Sequence, residues 1–135
     1  MQPLFIHRAP VVSGHGQGKK IGVPTINIDP TQFPKDVSQG IYACRAIFDE
    51  KSYDGALHFG PRPVFDDEAV SAEIHILDTV IDSAPKTLDL EIIGKVRDVM
   101  NFDSIEAMTT EIEKDIEKIR AMLRINEKTT KTPLS

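Results

Sequence analysis

Gly40-Ile41-Tyr42-Ala43-Cys44-Arg45-Ala46-Ile47-Phe48 is the stretch on which the fold turns. Tyr42, Cys44, Ala46 and Phe48 fall at every second position, the period of a strand that lays one face on a core. A short turn later Ser52–Phe59 supplies a second strand, and so brief a connection predicts an antiparallel hairpin. Val70–Leu77 alternates again, with Val70, Ala72, Ile74 and Ile76 opposed to Ser71, Glu73, His75 and Leu77. Leu88–Val96 reads as a further strand, and upstream Leu4–Val12 is apolar and β-branched around Pro10. The connections are rich in proline and glycine. No helical pattern separates the strands, which argues against a parallel α/β sheet. Five or six short strands therefore predict a small antiparallel barrel.

One helix closes the chain. Ile105, Met108, Ile112, Ile116, Ile119 and Leu123 recur at spacings of three and four and form one apolar stripe. Glu113, Lys114, Glu117 and Lys118 occupy the opposite face. Asp103 and Glu106 stand at capping-box spacing, so the helix is expected to open there. Glu127–Ser135 is polar and without period. The reading is thus one unit over residues 1–126 and a loose polar tail over 127–135.

Composition narrows the functional classes. The chain has 135 residues, one cysteine, no tryptophan and a formal net charge of −5. Cys44 alone permits neither a disulfide framework nor a cysteine-based zinc site, and its alternation with apolar neighbours reads as core. A reducing, cytoplasmic location is expected. No apolar run reaches the roughly 18–20 residues of a membrane span. Pro3, His7, Arg8 and Pro10 interrupt the N-terminal stretch, which is not the pattern of a signal peptide. A chain of −5 is a poor generic ligand for nucleic acid. Neither nucleic acid nor a membrane is therefore an expected partner, and the chain is read as a monomer. Residues 1–45 nevertheless hold five basic against two acidic side chains, while the other ninety hold eleven against nineteen. That asymmetry is either surface scatter or a sign that the N-terminal third handles an anion.

Three segments have chemical potential. Gly14-His15-Gly16-Gln17-Gly18-Lys19-Lys20-Ile21-Gly22 is glycine-rich and basic. It fits neither a Walker A loop nor a dinucleotide fingerprint, because Ser13, Ile21 and Lys19 stand where those motifs need other residues. A loop of this composition is either a plain connection or a cradle of backbone N–H groups for phosphate. In Val23-Pro24-Thr25-Ile26-Asn27, Thr25 and Asn27 point to the same side of an extended chain. They either open a strand and bond a turn, or offer Mg²⁺ two hard oxygens. Glu73 lies mid-strand between Ala72 and Ile74. Its face is either solvent-exposed or carries a carboxylate placed to take a proton from a hydroxyl. His75 shares that face and reads as structural.

Together these segments resemble the riboflavin kinase family, also found as the C-terminal half of bacterial bifunctional riboflavin kinase/FAD synthetases. The family pattern of a glycine-rich basic loop followed by Leu-Gly-Phe/Ile-Pro-Thr-Ala-Asn is matched by Gly18-Lys19-Lys20-Ile21-Gly22-Val23-Pro24-Thr25-Ile26-Asn27. Gly40-Ile41-Tyr42 matches its Gly-Val/Ile-Tyr strand start. His58-Phe59-Gly60-Pro61-Arg62-Pro63-Val64-Phe65 matches Asn-Ile-Gly-x-Arg-Pro-Thr-Phe loosely, and Glu73-Ile74-His75-Ile76-Leu77 matches Glu-x-His-Leu/Ile. Val96-Arg97, then Asn101-Phe102-Asp103-Ser104 and Ile112-Glu113-Lys114-Asp115, complete a match in order from about residue 10 to residue 124.

The resemblance implies a six-stranded Greek-key antiparallel β-barrel with a C-terminal amphipathic helix. It implies transfer of a phosphoryl group from ATP to the terminal ribityl hydroxyl of riboflavin, giving FMN. Gly14, Gly16, Gly18 and Lys19 would then hold the nucleotide phosphates, and Thr25 and Asn27 would hold Mg²⁺ or another divalent cation. Glu73 would orient or deprotonate the attacking hydroxyl. Arg97, Asn101 and Phe102 would belong to the lid beside the flavin, with the start of the helix as a wall. The departures are Ile26 for alanine, Lys19 for the usual bacterial arginine, His58 for asparagine, and Asp82–Thr87 where the family has Asp-Leu/Phe-Tyr-Gly. The alternative reading is a related barrel that binds flavin or nucleotide without turnover, as a carrier or regulator. No adenylyltransferase half accompanies the matched segments, so FAD synthesis is not expected.

Overall fold

Alternating apolar positions can be buried only if a sheet closes on something, and here six strands close on themselves. The computed structural model describes residues 2–12, 25–62, 67–81 and 83–131. Its strands are β1 (Leu4–Val12), β2 (Thr25–Ile28), β3 (Gly40–Phe48), β4 (Lys51–Arg62), β5 (Asp67–Ile76) and β6 (Thr87–Arg97). They form a closed barrel in the order β1-β2-β5-β4-β3-β6, every pair antiparallel. β3, β4 and β5 follow one another as neighbours and β6 returns beside β3, which is the Greek-key arrangement. Among the described residues, closure gives every strand a partner on both sides.

The predicted strands recur, β1 and β3 with the bounds read from the sequence. Tyr42, Cys44, Ala46 and Phe48 line the interior with Ile26, Ile28, Leu57, Ile74, Leu90 and Ile92. Cys44 is fully buried, which pushes its thiol pKa up. The β3–β4 hairpin turns on Asp49 and Glu50, both at positive φ (51° and 62°), the backbone a two-residue primed turn requires. In β1 the inward residues Ile6 and Ala9 break the two-residue period. A bulge between them absorbs the extra residue, with Arg8 at φ 52° and its backbone N–H donating to Asp89 Oδ1 at 2.9 Å.

Helix α1 (Ile105–Lys131) lies across the outside of the barrel. Ile119 and Leu123 pack on Ile41, Ala43, Leu77 and Ile93, the outward residues that the interior does not use. Small side chains let the helix approach: a Cβ on Gly94 would come within 2.7 Å of Met122 Cε. Two differences from the sequence reading are instructive. The cap is Ser104, whose Oγ accepts from the Ala107 N–H at 3.0 Å, so the expected Asp103–Glu106 box is displaced by one residue. The helix also runs to Lys131, five residues into the segment expected to be a loose tail. No glycine or proline stands before Pro133 to stop it.

Candidate active site

Strand pairing brings together what the sequence keeps apart. Ile26 and Ile28 point into the core, 2% and 1% exposed, so Thr25 and Asn27 must face out. On β5, Ala72, Ile74 and Ile76 point inward and put Glu73 and His75 on the same outer surface. The register sets Asn27 opposite Glu73 and Thr25 opposite His75. Directly opposed residues share a face, so these four side chains form one patch. All four are half-buried.

The patch continues onto β4, where His58 opposes Glu73. His58 Nδ1 lies 3.7 Å from Glu73 Oε2, with the two side chains 17% and 18% exposed. His58 Nε2 is buried and, among the described residues, has no hydrogen-bond partner. Burial lowers the pKa of His75, favouring its neutral form. Beyond His58 the same row passes to Ile41 on β3 and Arg97 on β6. Neighbouring strands stand about 4.8 Å apart, so Arg97 is three strand steps, or about 14 Å along the wall, from Glu73.

Arg97 is committed to the helix. Its Nε donates to Asp115 Oδ1 at 2.9 Å, and a second nitrogen donates to Oδ2 at 2.8 Å. A third reaches the Asp98 carbonyl at 3.0 Å, and the guanidinium carbon stands 5.7 Å from the Phe102 ring centroid. One arginine thus ties together the end of β6, the segment that follows it and α1. Sequence reasoning assigns Asp115 no role, although a signal is present: it is a charged residue within the apolar spacing of Ile112, Ile116 and Ile119. Asn101 is exposed and Phe102 half-buried. Met100 and Ile105 beside them in sequence are large apolar residues left 40% and 49% exposed.

Gly40 and Gly60 hold the backbone around this row. A Cβ on Gly40 would lie 2.7 Å from the Arg97 carbonyl oxygen. Gly60 has φ 147°, and a Cβ there would meet Val99 Cγ2 at 2.9 Å. The structure therefore gathers Thr25, Asn27 and Glu73, and sets Arg97, Asn101 and Phe102 at a separate corner. Gly14, Gly16, Gly18 and Lys19 lie outside the described residues. Among the described residues no helix is long and apolar enough to cross a membrane.

Comparisons with known proteins point the same way. The flavokinase (riboflavin kinase) family model matches residues 2–123. Riboflavin kinase of Mus musculus is 34% identical over 130 residues, which take in 91% of this chain and 83% of the mouse protein. The crystal structure of riboflavin kinase from Trypanosoma brucei superposes with a TM-score of 0.58, at 22% identity, over 92% of this chain and 82% of that one. A Streptococcus pneumoniae chain described as a macrolide-efflux protein superposes at 0.71 with 27% identity, over 87% of this chain but only 38% of its own. That likeness concerns one part of the larger chain. The family match over most of the sequence, and the mouse relative matched over most of its length, decide the assignment: this chain belongs to the riboflavin kinase family.

Proposed function

We infer that this chain transfers the γ-phosphoryl group of ATP to the 5′-hydroxyl of riboflavin, giving FMN and ADP. The observation that carries this reading is the pairing of Asn27 with Glu73 on the outer wall, with Thr25 on the same face. Phosphoryl transfer asks mainly for alignment and charge neutralisation. Thr25 and Asn27 offer a hydroxyl and an amide oxygen, neutral hard donors that suit Mg²⁺ alongside water and phosphate oxygens. Among the described residues no group of three or more His, Cys, Asp or Glu could hold a metal ion by itself. A cation here would therefore share its shell with the nucleotide. When bound, it would neutralise phosphate charge.

The protein's own part is positional and acid–base. Glu73 accepts the proton of the 5′-hydroxyl as that oxygen bonds to the γ-phosphorus and the bond to the β,γ-bridging oxygen breaks. A carboxylate only 18% exposed keeps its orientation better than one on an open surface. His75, held toward its neutral form, adds no competing positive charge beside it. Gly14, Gly16, Gly18 and Lys19 take the nucleotide phosphates, as the resemblance implies. Arg97, Asn101 and Phe102 flank the isoalloxazine, where exposed Met100 and Ile105 supply apolar surface for a flat ring. The chain is taken to act as a cytoplasmic monomer, which gel filtration and cell fractionation test.

The deciding assay incubates the protein with riboflavin, ATP and Mg²⁺ and separates FMN from riboflavin by chromatography. FMN accumulates if the reading holds. No FMN with ATP, CTP or GTP leaves the alternative, a barrel that binds flavin or nucleotide without turnover. Glu73→Gln should remove most turnover while nucleotide binding persists.

A further inference from the structure

His58 has no assigned role, yet its ring stands against the Glu73 carboxylate. It opposes Glu73 across β4 and β5. Its Nδ1 stands 3.7 Å from Oε2, within ion-pair range and about half an ångström outside an ordinary hydrogen bond. Its other nitrogen, Nε2, is buried and has no partner among the described residues. A half-buried imidazole with one buried, idle nitrogen is a costly choice for a position that only has to fill space, because an apolar side chain would leave nothing unsatisfied. The idle nitrogen also fixes the chemistry of the other. A proton on Nε2 would be a buried donor without an acceptor, so the neutral ring keeps its proton on Nδ1, facing the carboxylate.

We propose that His58 is a positioning residue for Glu73: its Nδ1–H holds one carboxylate oxygen and so turns the other toward the substrate hydroxyl. Asn27 lies on the opposite side of Glu73, so the carboxylate is flanked across both neighbouring strands. The inference rests on Glu73 acting as the proton acceptor. It adds that the acceptor's orientation comes from β4. The next residues in the row, Ile41 and Arg97, cannot take this part: Ile41 is packed under the helix and Arg97 is bonded to Asp115.

The test uses the full chain with riboflavin, ATP and Mg²⁺, measuring kcat and both KM values for His58→Leu, His58→Asn, Glu73→Gln and the Glu73→Gln/His58→Leu pair. His58→Leu should lower kcat on the order of tenfold, the cost of a misplaced reacting group, with KM for each substrate little changed. His58→Asn keeps an N–H donor near the Nδ1 position and should restore most of kcat. In the Glu73→Gln background, His58→Leu should cost nothing further, since nothing remains to be positioned. Thermal unfolding separates folding from function: His58→Leu removes a buried unpaired polar atom and should melt no lower than the parent. Unchanged kcat in His58→Leu, with Glu73→Gln inactive, overturns this proposal alone. Equal losses in His58→Leu and His58→Asn, or additive losses with Glu73→Gln, overturn it as well. Full turnover in Glu73→Gln overturns both this and the role of Glu73.

Discussion

Asp115→Ala removes both acceptors of the contact that fastens α1 to β6. The magnitude follows from burial. Asp115 is 3% exposed and Arg97 15%, with nitrogen–oxygen distances of 2.8–3.1 Å. Breaking a buried pair by deleting one partner costs about 3–5 kcal/mol, because the remaining charge is left without compensation. Arg97 retains the Asp98 carbonyl and some access to water, which argues for the lower end, about 3 kcal/mol. For a chain of this size about 1 kcal/mol moves the midpoint by about 4 °C, so a fall on the order of 10 °C is expected. Urea unfolding followed by circular dichroism gives the free energy directly. The discriminating variant replaces both partners, Arg97→Met with Asp115→Leu. With no charge left to bury, it should recover most of the loss. A single variant that loses less than about 1 kcal/mol, or a double variant as unstable as Asp115→Ala, would refute the reasoning.

Other expectations concern the barrel. Gly40→Ala drives a Cβ into the Arg97 carbonyl at 2.7 Å, where the obstacle is backbone, and should cost about 1–3 kcal/mol in urea unfolding. Gly94→Ala meets only the flexible end of Met122 and should cost clearly less. Glu50→Gly removes a side chain from a residue at φ 62° and should raise stability by about 0.5–1 kcal/mol; a lower urea midpoint would count against the assigned turn. Cys44 has its thiol pKa raised by burial, so stability from the protonated thiol is complete below the unfolded pKa near 9 and is lost as pH rises above it. Relative to Cys44→Ala, the parent should therefore lose about 1.4 kcal/mol per pH unit above that point. The native thiol should also resist a disulfide reagent at pH 8 until the protein is unfolded.

The strands are legible because alternation is a local property. Gly40–Phe48 announces its inner face without reference to any other segment, and β1 begins and ends where its apolar run does. What escapes a sequence reading depends on long-range partners or on choices between equivalent neighbours. The bulge at Arg8 shows in sequence only as the three-residue step from Ile6 to Ala9, and it takes shape because Asp89, far along the chain, receives the freed N–H. Asp103 and Ser104 can each cap a helix, and only the backbone path chooses between them. At the site, Thr25, Asn27 and Glu73 are each ambiguous taken singly. Register resolves their common face, and register belongs to the closed sheet. The Arg97–Asp115 bond is hidden for the same reason, since nothing local says which strand a charge on the helix's inner stripe will meet.

The placement of Glu73 and His75 on the outside of the wall separates the cohesive face of β5 from its outer face by parity. Along β5 the even-numbered Ala72, Ile74 and Ile76 serve the interior, while the odd-numbered Glu73 and His75 face outward. Substitutions at the odd positions can therefore change the outer surface and leave the interior packing untouched. An insertion or deletion of one residue enjoys no such freedom: it exchanges the two sets at a stroke, burying a carboxylate and exposing three core side chains. Divergence in this strand is accordingly open to replacement and closed to changes of length.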